Sequence, residues 1–347
     1  MRKDGAGIQR KRRIAGPNAT LADLHKAIEL HNGKPVDCLE WLAAKFEGSP
    51  QFARVSDSMQ SDWRYCRRVL NEQPTLSPDT MVSQIPLSDW DAPMIQRLID
   101  DIGETRGPSS AKHLYTYLKR LWNWGHGRGH CGQNPAPAGA IELPPERQRR
   151  RIPDPLTLAR LITFAQERGR RPSRTTGSCP AYIWMALEIA YLNRLRGIEV
   201  FASTDAEVLD EGFLCRRTKG SADTITRWNA RLRAVVDAAQ AERARIWKAR
   251  SRAIPLDPAK RPLLVSTAGG KVGQSSWQSA WRRFMDLAVR EGVLSEEQRF
   301  GLHDMKRRGA TDTKGSKADK MESTGHSSLQ MLKVYDTSIA VVDAASD

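Results

Sequence analysis

The stretch "TGHSSLQMLKVYDTS", Thr324 to Ser338, sets a tyrosine, Tyr335, nine residues after a histidine, His326. Taken alone, it reads as a helix cap, Ser327 or Ser328, followed by a short amphipathic helix with an aromatic core residue. A stronger reading depends on what the rest of the chain can bring to that tyrosine.

Upstream, "HDMKRR" contributes His303, Lys306, Arg307 and Arg308. "RRTKGSAD" puts Lys219 at the tip of a hairpin between two strand-like runs, and "NRLRGIEV" holds Arg196 three residues before Glu199. On a helix that spacing lets the carboxylate brace the guanidinium. Each piece has an ordinary structural role by itself: a helix ion pair, a polar turn residue, a cap, a core aromatic. Together they are what phosphodiester cleavage without a metal or cofactor requires. A phenol, with a pKa of about 10, needs a neighbour to take its proton. The transition state spreads negative charge over non-bridging oxygens, which favours arginine forks and imidazolium donors. The leaving 5′-oxygen needs a proton, which lysine or histidine can supply.

In this order and spacing the residues resemble those of the tyrosine recombinases, the lambda-integrase-like family of phage and mobile-element integrases. The family pattern is an Arg in an R-x-x-E box, a hairpin Lys, H-x-x-R, then G-H-x-x and a nucleophilic Tyr nine residues after that His. The resemblance implies catalytic residues Arg196, Lys219, His303, Lys306, His326 and Tyr335, with Glu199 and Arg307 in support. It implies a 3′-phosphotyrosyl intermediate, and a homo-tetramer exchanging strands between two double-stranded DNA sites. One departure is visible: Lys306 stands where the family usually has its second arginine, and a lysine offers a point charge in place of a bidentate fork. Arg307, at i+4 from His303, falls on the same helical face and is the alternative for that role.

Composition agrees with a polyanionic partner. Across 347 residues, 55 Lys and Arg outnumber 40 Asp and Glu, a formal net charge of +15; neutralising phosphates releases condensed counterions. The longest promising uncharged stretch, "TTGSCPAYIWMAL", falls short of the roughly 18 residues a membrane span needs. The basic N-terminus has no apolar run of a signal peptide. Five scattered cysteines with no C-x-x-C pair fit a reducing cytoplasm; the resemblance implies that of a bacterium or phage-infected host, near the nucleoid. "HGRGHC", His126 to Cys131, offers three possible zinc ligands, but with no second ligand pair it reads as a turn.

The expected fold is mainly α with a small β-sheet, in several segments. A basic tail, 1–17, is either a DNA-contacting arm or a solubilising extension. A helical core-DNA-binding domain, 18–140, follows. Its helices are "NATLADLHKAIELHNG", "VDCLEWLAAKFEG" capped by Asp37, "SDSMQSDWRYCRRVLNE", "LSDWDAPMIQRLIDDIG" and "GPSSAKHLYTYLKRLWNWGHGRG". The last buries Leu114, Tyr117, Leu118, Leu121 and Trp122 on one face, with Lys112 and Lys119 riding elsewhere as DNA contacts. A basic linker, 141–153, carries Arg147, Arg149, Arg150 and Arg151, which suit a DNA backbone. The catalytic domain, 154–338, has one helix over "CPAYIWMALEIAYLNRLRGIEV" and a hairpin about the KGSAD turn. A tail, 339–347, is expected to dock its Ile339–Val342 run on a neighbouring protomer. Under the resemblance the two domains form a C-shaped clamp on DNA, with accessory DNA-bending or excision factors as further partners. Rival readings are a non-catalytic DNA-binding regulator on the same scaffold, which Lys306 alone supports, and a type IB topoisomerase-like enzyme. A metal-dependent nuclease is disfavoured, since no acidic cluster stands out.

Overall fold

The computed structural model describes residues 37–75, 80–145, 152–173, 175–218 and 220–337, with Gly16, Thr20 and Leu24 ahead of them. The basic tail, nearly all of the first expected helix, Arg147, Arg149, Arg150, Arg151, Lys219 and the 339–347 tail lie outside the described residues. The chain divides into two compact units, residues 1–148 and 149–347. The described part is mainly helical with a two-stranded antiparallel sheet. None of its helices is long and apolar enough to cross a membrane.

Among the described residues of the first unit, the regular elements are helices. Helix α1, Leu39–Glu47, buries Leu39, Leu42, Ala43 and Phe46. Cys38 is its cap rather than Asp37, because Asp37 sits at φ 60 and its carbonyl accepts the Leu87 amide at 2.7 Å. A single turn, α2 (Pro50–Ala53), follows Ser49, whose hydroxyl accepts from Phe52 N. Helix α3, Asp57–Glu72, starts at the Ser56 cap. The fourth expected helix begins later than the apolar pattern suggests: Leu87–Asp89 is a 3-10 turn, and Asp91, followed by proline, caps α4 at Ala92–Arg106. The Asp91 carboxylate and the fixed φ of proline make that start more favourable than the residues before it. Helix α5, Pro108–His126, buries the predicted Leu114, Tyr117, Leu118, Leu121 and Trp122. These faces meet in one core with Phe46, Phe52, Trp63 and Trp90.

In the second unit, α6 (Pro155–Gly169) is capped by Asp154. Helix α7, Tyr182–Leu192, is apolar nearly all round because other helices surround it. Its one carboxylate, Glu188, accepts Arg231 at 2.9 Å. The single helix expected over residues 179–200 is broken here. Asn193 turns its amide back onto Ile189 O at 3.1 Å, Arg194 takes φ 53, and a new helix, α8 (Gly197–Ala202), begins with Arg196 as its N-cap residue.

Strands β1 (Gly212–Cys215) and β2 (Thr224–Arg227) pair with Gly212 opposite Arg227 and Cys215 opposite Thr224. The connection is longer than the KGSAD turn, because Arg217 N and Thr218 N turn out of the ladder to Asp223 and Glu199. Helices α9 (Ala230–Ala249) and α10 (Gln274–Arg290) complete the packing around α7. Helix α11 runs from Leu302 to Asp312. A further helix not foreseen, α12 (Lys317–Thr324), starts at the Ser316 cap. Ser328, of the two candidate serines, caps α13, Leu329–Tyr335, accepting Met331 N at 3.3 Å.

Helices α11 and α7 approach so closely that a Cβ on Gly309 would lie 2.3 Å from the Tyr191 carbonyl oxygen. Backbone cannot yield as a side chain does, so Gly309→Ala should cost about 2–3 kcal/mol. Gly132→Ala, where a Cβ meets nothing within 4 Å, is the control. Thermal denaturation of both variants checks the contact: equal melting temperatures would refute it.

Candidate active site

The break after α7 carries the first site residue. Arg196 N donates to Glu199 Oε2 at 2.7 Å and its Nη1 to Oε1 at 2.9 Å. The brace therefore forms across a helix start rather than along a helix side, as the spacing alone would suggest. Glu199 also accepts Thr218 N and Thr218 Oγ1, both at 2.9 Å. Burial would raise its pKa, but these hydrogen bonds and the nearby Lys306 charge hold it below the ordinary carboxylate value. Arg196 Nη1 reaches Thr218 O at 3.3 Å as well, so the end of the hairpin loop is tied to the arginine; Lys219 is the next residue.

Gly325 ties the same loop to His326. It ends α12 at φ 69, its carbonyl accepts Ala222 N at 3.0 Å, and a Cβ there would fall 2.4 Å from Ala222 O. Only glycine satisfies both the left-handed turn and the approach. Thr324 Oγ1 donates to Lys320 O at 2.7 Å and therefore accepts from His326 Nδ1 at 2.9 Å. The neutral imidazole then carries its lone pair on Nε2, which is buried with no hydrogen-bond partner. Burial, then the charges of Lys306, Arg196 and Arg217, lower the His326 pKa to about 4.

Helix α11 brings His303 and Lys306. His303 is at the surface with its ring centroid 5.7 Å from that of Tyr335. Desolvation against its neighbours, then the Arg307 charge, lower its pKa. Lys306 is 0% exposed, its ammonium has no hydrogen-bond partner, and Nζ lies 5.2 Å above the Tyr335 ring. Burial, then Arg217 and Arg196, bring its pKa down to about 7. Arg307 is turned instead to Asp304, at 3.4 Å. Tyr335 ends α13, 7% exposed, its ring 4.7 Å from that of His326. It lies close enough to Arg196 to act on its charge: the arginine's pKa, though lowered by burial, is raised overall by Glu199 and Tyr335.

Of the described members of the sequence-derived catalytic set, Arg196, His303, Lys306 and His326 thus lie near the Tyr335 side chain, Glu199 braces Arg196, and Arg307 turns away. Arg217 escaped the sequence reading, although it lies two residues before Lys219. Its guanidinium spans Arg194 O at 2.6 Å, Asn193 O at 3.1 Å and Ser323 O at 3.0 Å, joining the break after α7 to α12. In the first unit, Lys112 is exposed on α5, whereas Lys119 lies 5.4 Å over the Tyr115 ring. The ring of His130 packs between Trp41 and Trp124, and Cys131 Sγ faces Trp122 O. Among the described residues no three His, Cys, Asp or Glu side chains are grouped to hold a metal.

No protein-family model matches the chain, and no curated protein does. Solved structures do. A lambda integrase dimer bound to a COC' core site is similar at TM-score 0.67 and 13% identity, over 94% of this chain and 85% of that one. The Tn1549 transposon integrase in complex with circular intermediate DNA is similar at 0.64 and 15%, over 87% and 96%. The chain has the tyrosine-recombinase fold. A lambda integrase tetramer bound to a Holliday junction shares that recombinase fold at TM-score 0.65 and 16% identity, over 95% of this chain and 88% of that one.

An ammonium buried without a partner destabilises the recombinase fold below its folded-state pKa. The folded pKa of Lys306, about 7, lies below the unfolded value, so the penalty is full below pH 7 and shrinks as pH rises towards the unfolded lysine pKa of about 10.4. Lys306→Met should therefore stabilise the DNA-free protein by something on the order of 4 kcal/mol at pH 6 and roughly half that at pH 9. Denaturant titrations at the two pH values check this; a gain that grows with pH would contradict it.

Proposed function

We propose that this chain is a tyrosine-type site-specific DNA recombinase that cuts and rejoins double-stranded DNA. The observation that carries the reading is the convergence of Arg196, His303, Lys306 and His326 on Tyr335. In the proposed step the Tyr335 oxygen attacks the scissile phosphorus as its proton passes towards His303. The bond from phosphorus to the 5′-oxygen breaks, Lys219 protonates the leaving oxygen, and a 3′-phosphotyrosyl bond remains. Arg196, Lys306 and His326 hold the non-bridging oxygens; His326 serves once phosphate charge has restored a proton to Nε2. Lys306 rather than Arg307 takes the second cationic position, since its ammonium faces the phenol ring. A 5′-hydroxyl from a second strand reverses the step without ATP, because the covalent bond conserves the phosphodiester's energy.

On this reading residues 154–338 form the catalytic domain and 18–140 the core-DNA-binding domain. Lys112, Lys119 and the linker residues Arg147, Arg149, Arg150 and Arg151 meet DNA phosphates, and the 339–347 tail docks on a neighbour within a tetramer. The similarity to lambda and Tn1549 integrases in complex with DNA supports integration or excision of a phage or mobile element, inside the host cell.

The test uses the DNA flanking the gene, where the junction of an integrated element would lie. Incubated with it and quenched in SDS, wild type should give a covalent protein–DNA adduct and Tyr335→Phe none. Binding in a native gel with no adduct, on a nicked duplex that traps cleavage, would favour a DNA-binding regulator. An adduct together with relaxation of supercoils lacking that junction would favour a topoisomerase.

A further inference from the structure

Helix α13 is seven residues long and buries only Leu332 and Tyr335; Leu329, Met331 and Val334 are exposed. So short a helix is not stable by itself, and two buried side chains give it little apolar anchorage. Yet it must hold the phenol against His326 and Lys306 to within a fraction of an ångström for an in-line attack. The restraint has to come from polar ties, and these gather where the nucleophile leaves the helix.

Lys320, on α12, directs its ammonium to Asp336, the residue after Tyr335. Nζ is 3.1 Å from both carboxylate oxygens and 3.2 Å from the Thr311 carbonyl oxygen. Three acceptors match the three N–H bonds of an ammonium. Thr311 lies in the last turn of α11, the helix that carries His303 and Lys306, where the helix dipole presents its negative end. The same threonine's hydroxyl bonds Tyr335 O at 3.5 Å and accepts Thr337 N at 3.2 Å. Both partners of the ion pair are about nine-tenths buried, with side chains 9% and 12% exposed. Neither is used by the chemistry above. The pair joins the helix of the phosphate-binding residues to the segment of the nucleophile, with Lys320 one turn before the Thr324 that orients His326.

We infer that Lys320 and Asp336 are positioning residues, whose ion pair holds the Tyr335 phenol in register with His303, Lys306 and His326 and has no part in binding DNA. The inference rests on the recombinase reading and deepens it. Removing one partner leaves a buried charge, which by itself can unfold a segment, whereas removing both leaves none. The double variant Lys320→Met/Asp336→Asn therefore carries the test, beside the two single variants and the conservative Asp336→Glu.

Each full-length protein is mixed with a nicked duplex of the flanking junction sequence. The rate of adduct formation and the native-gel Kd are measured together. The double variant is expected to form adduct about 30-fold more slowly with Kd within twofold of wild type, and Asp336→Glu to recover most of the rate. The single variants should be no less impaired than the double, as expected for coupled residues. A double variant that cleaves within twofold of wild type overturns the proposal. So does one whose rate falls while its Kd rises in parallel, without recovery by Asp336→Glu, since that marks a general structural role. A wild type that binds the duplex without forming an adduct defeats the recombinase reading itself, and this inference with it.

Discussion

One buried carboxylate organises the candidate site. Glu199 collects four hydrogen bonds, two from Arg196 and two from Thr218. They bind the start of α8 to the end of the hairpin loop, segments far apart in sequence. A carboxylate so satisfied stays ionised in spite of burial, and its charge is what allows a guanidinium to be buried beside it. Without that pair the chain break after α7 would have no reason to turn Arg196 inward. Thr218 would also lose its tether to the site.

The remaining charges are deliberately out of balance. Lys306 and His326 feel the charges of Arg196 and Arg217, with Glu199 as the nearby negative partner. Buried cations that crowd one another shed protons, and Lys306 and His326 are the two that can. Without DNA the site therefore carries less charge than its composition suggests, and a phosphate would restore what burial removed. Lysine in place of a second arginine matters for this reason: a guanidinium stays charged in any such environment, whereas an ammonium titrates near neutrality. The low pKa of Lys306 and the missing fork are two consequences of one substitution pattern.

Helix periods and caps were legible where local chemistry decides them. The apolar face of α5, the Ser56 start of α3 and the serine before α13 could be read because capping and 3.6-residue periodicity act over a few neighbours. Reading failed where distant groups outbid the local pattern. The apolar run of α7 gives no hint of a break at Asn193, because the break is held by Arg217 and Arg194 reaching Ser323. The hairpin loop is longer than its turn residues suggest because Glu199 draws Thr218 out of the ladder. Helix α12 carries too few apolar residues to show a period: of its side chains only Lys320 and Thr324 are buried.

By itself the sequence determined which residues are available for chemistry and in what order: Arg196 with Glu199, Lys219, His303 with Lys306, His326, and Tyr335 nine residues on. It determined the helical character too, since periodicity, caps and net charge are properties of neighbouring residues. Only the tertiary structure decided that Lys306 rather than Arg307 turns to the phenol, that His326 points a bare Nε2 inward, and that Lys320 with Asp336 closes the end of the helix that carries Tyr335. Those outcomes depend on burial and on charge partners brought together across the fold. Desolvation and Coulomb energies follow distance in space, which no spacing along the chain encodes.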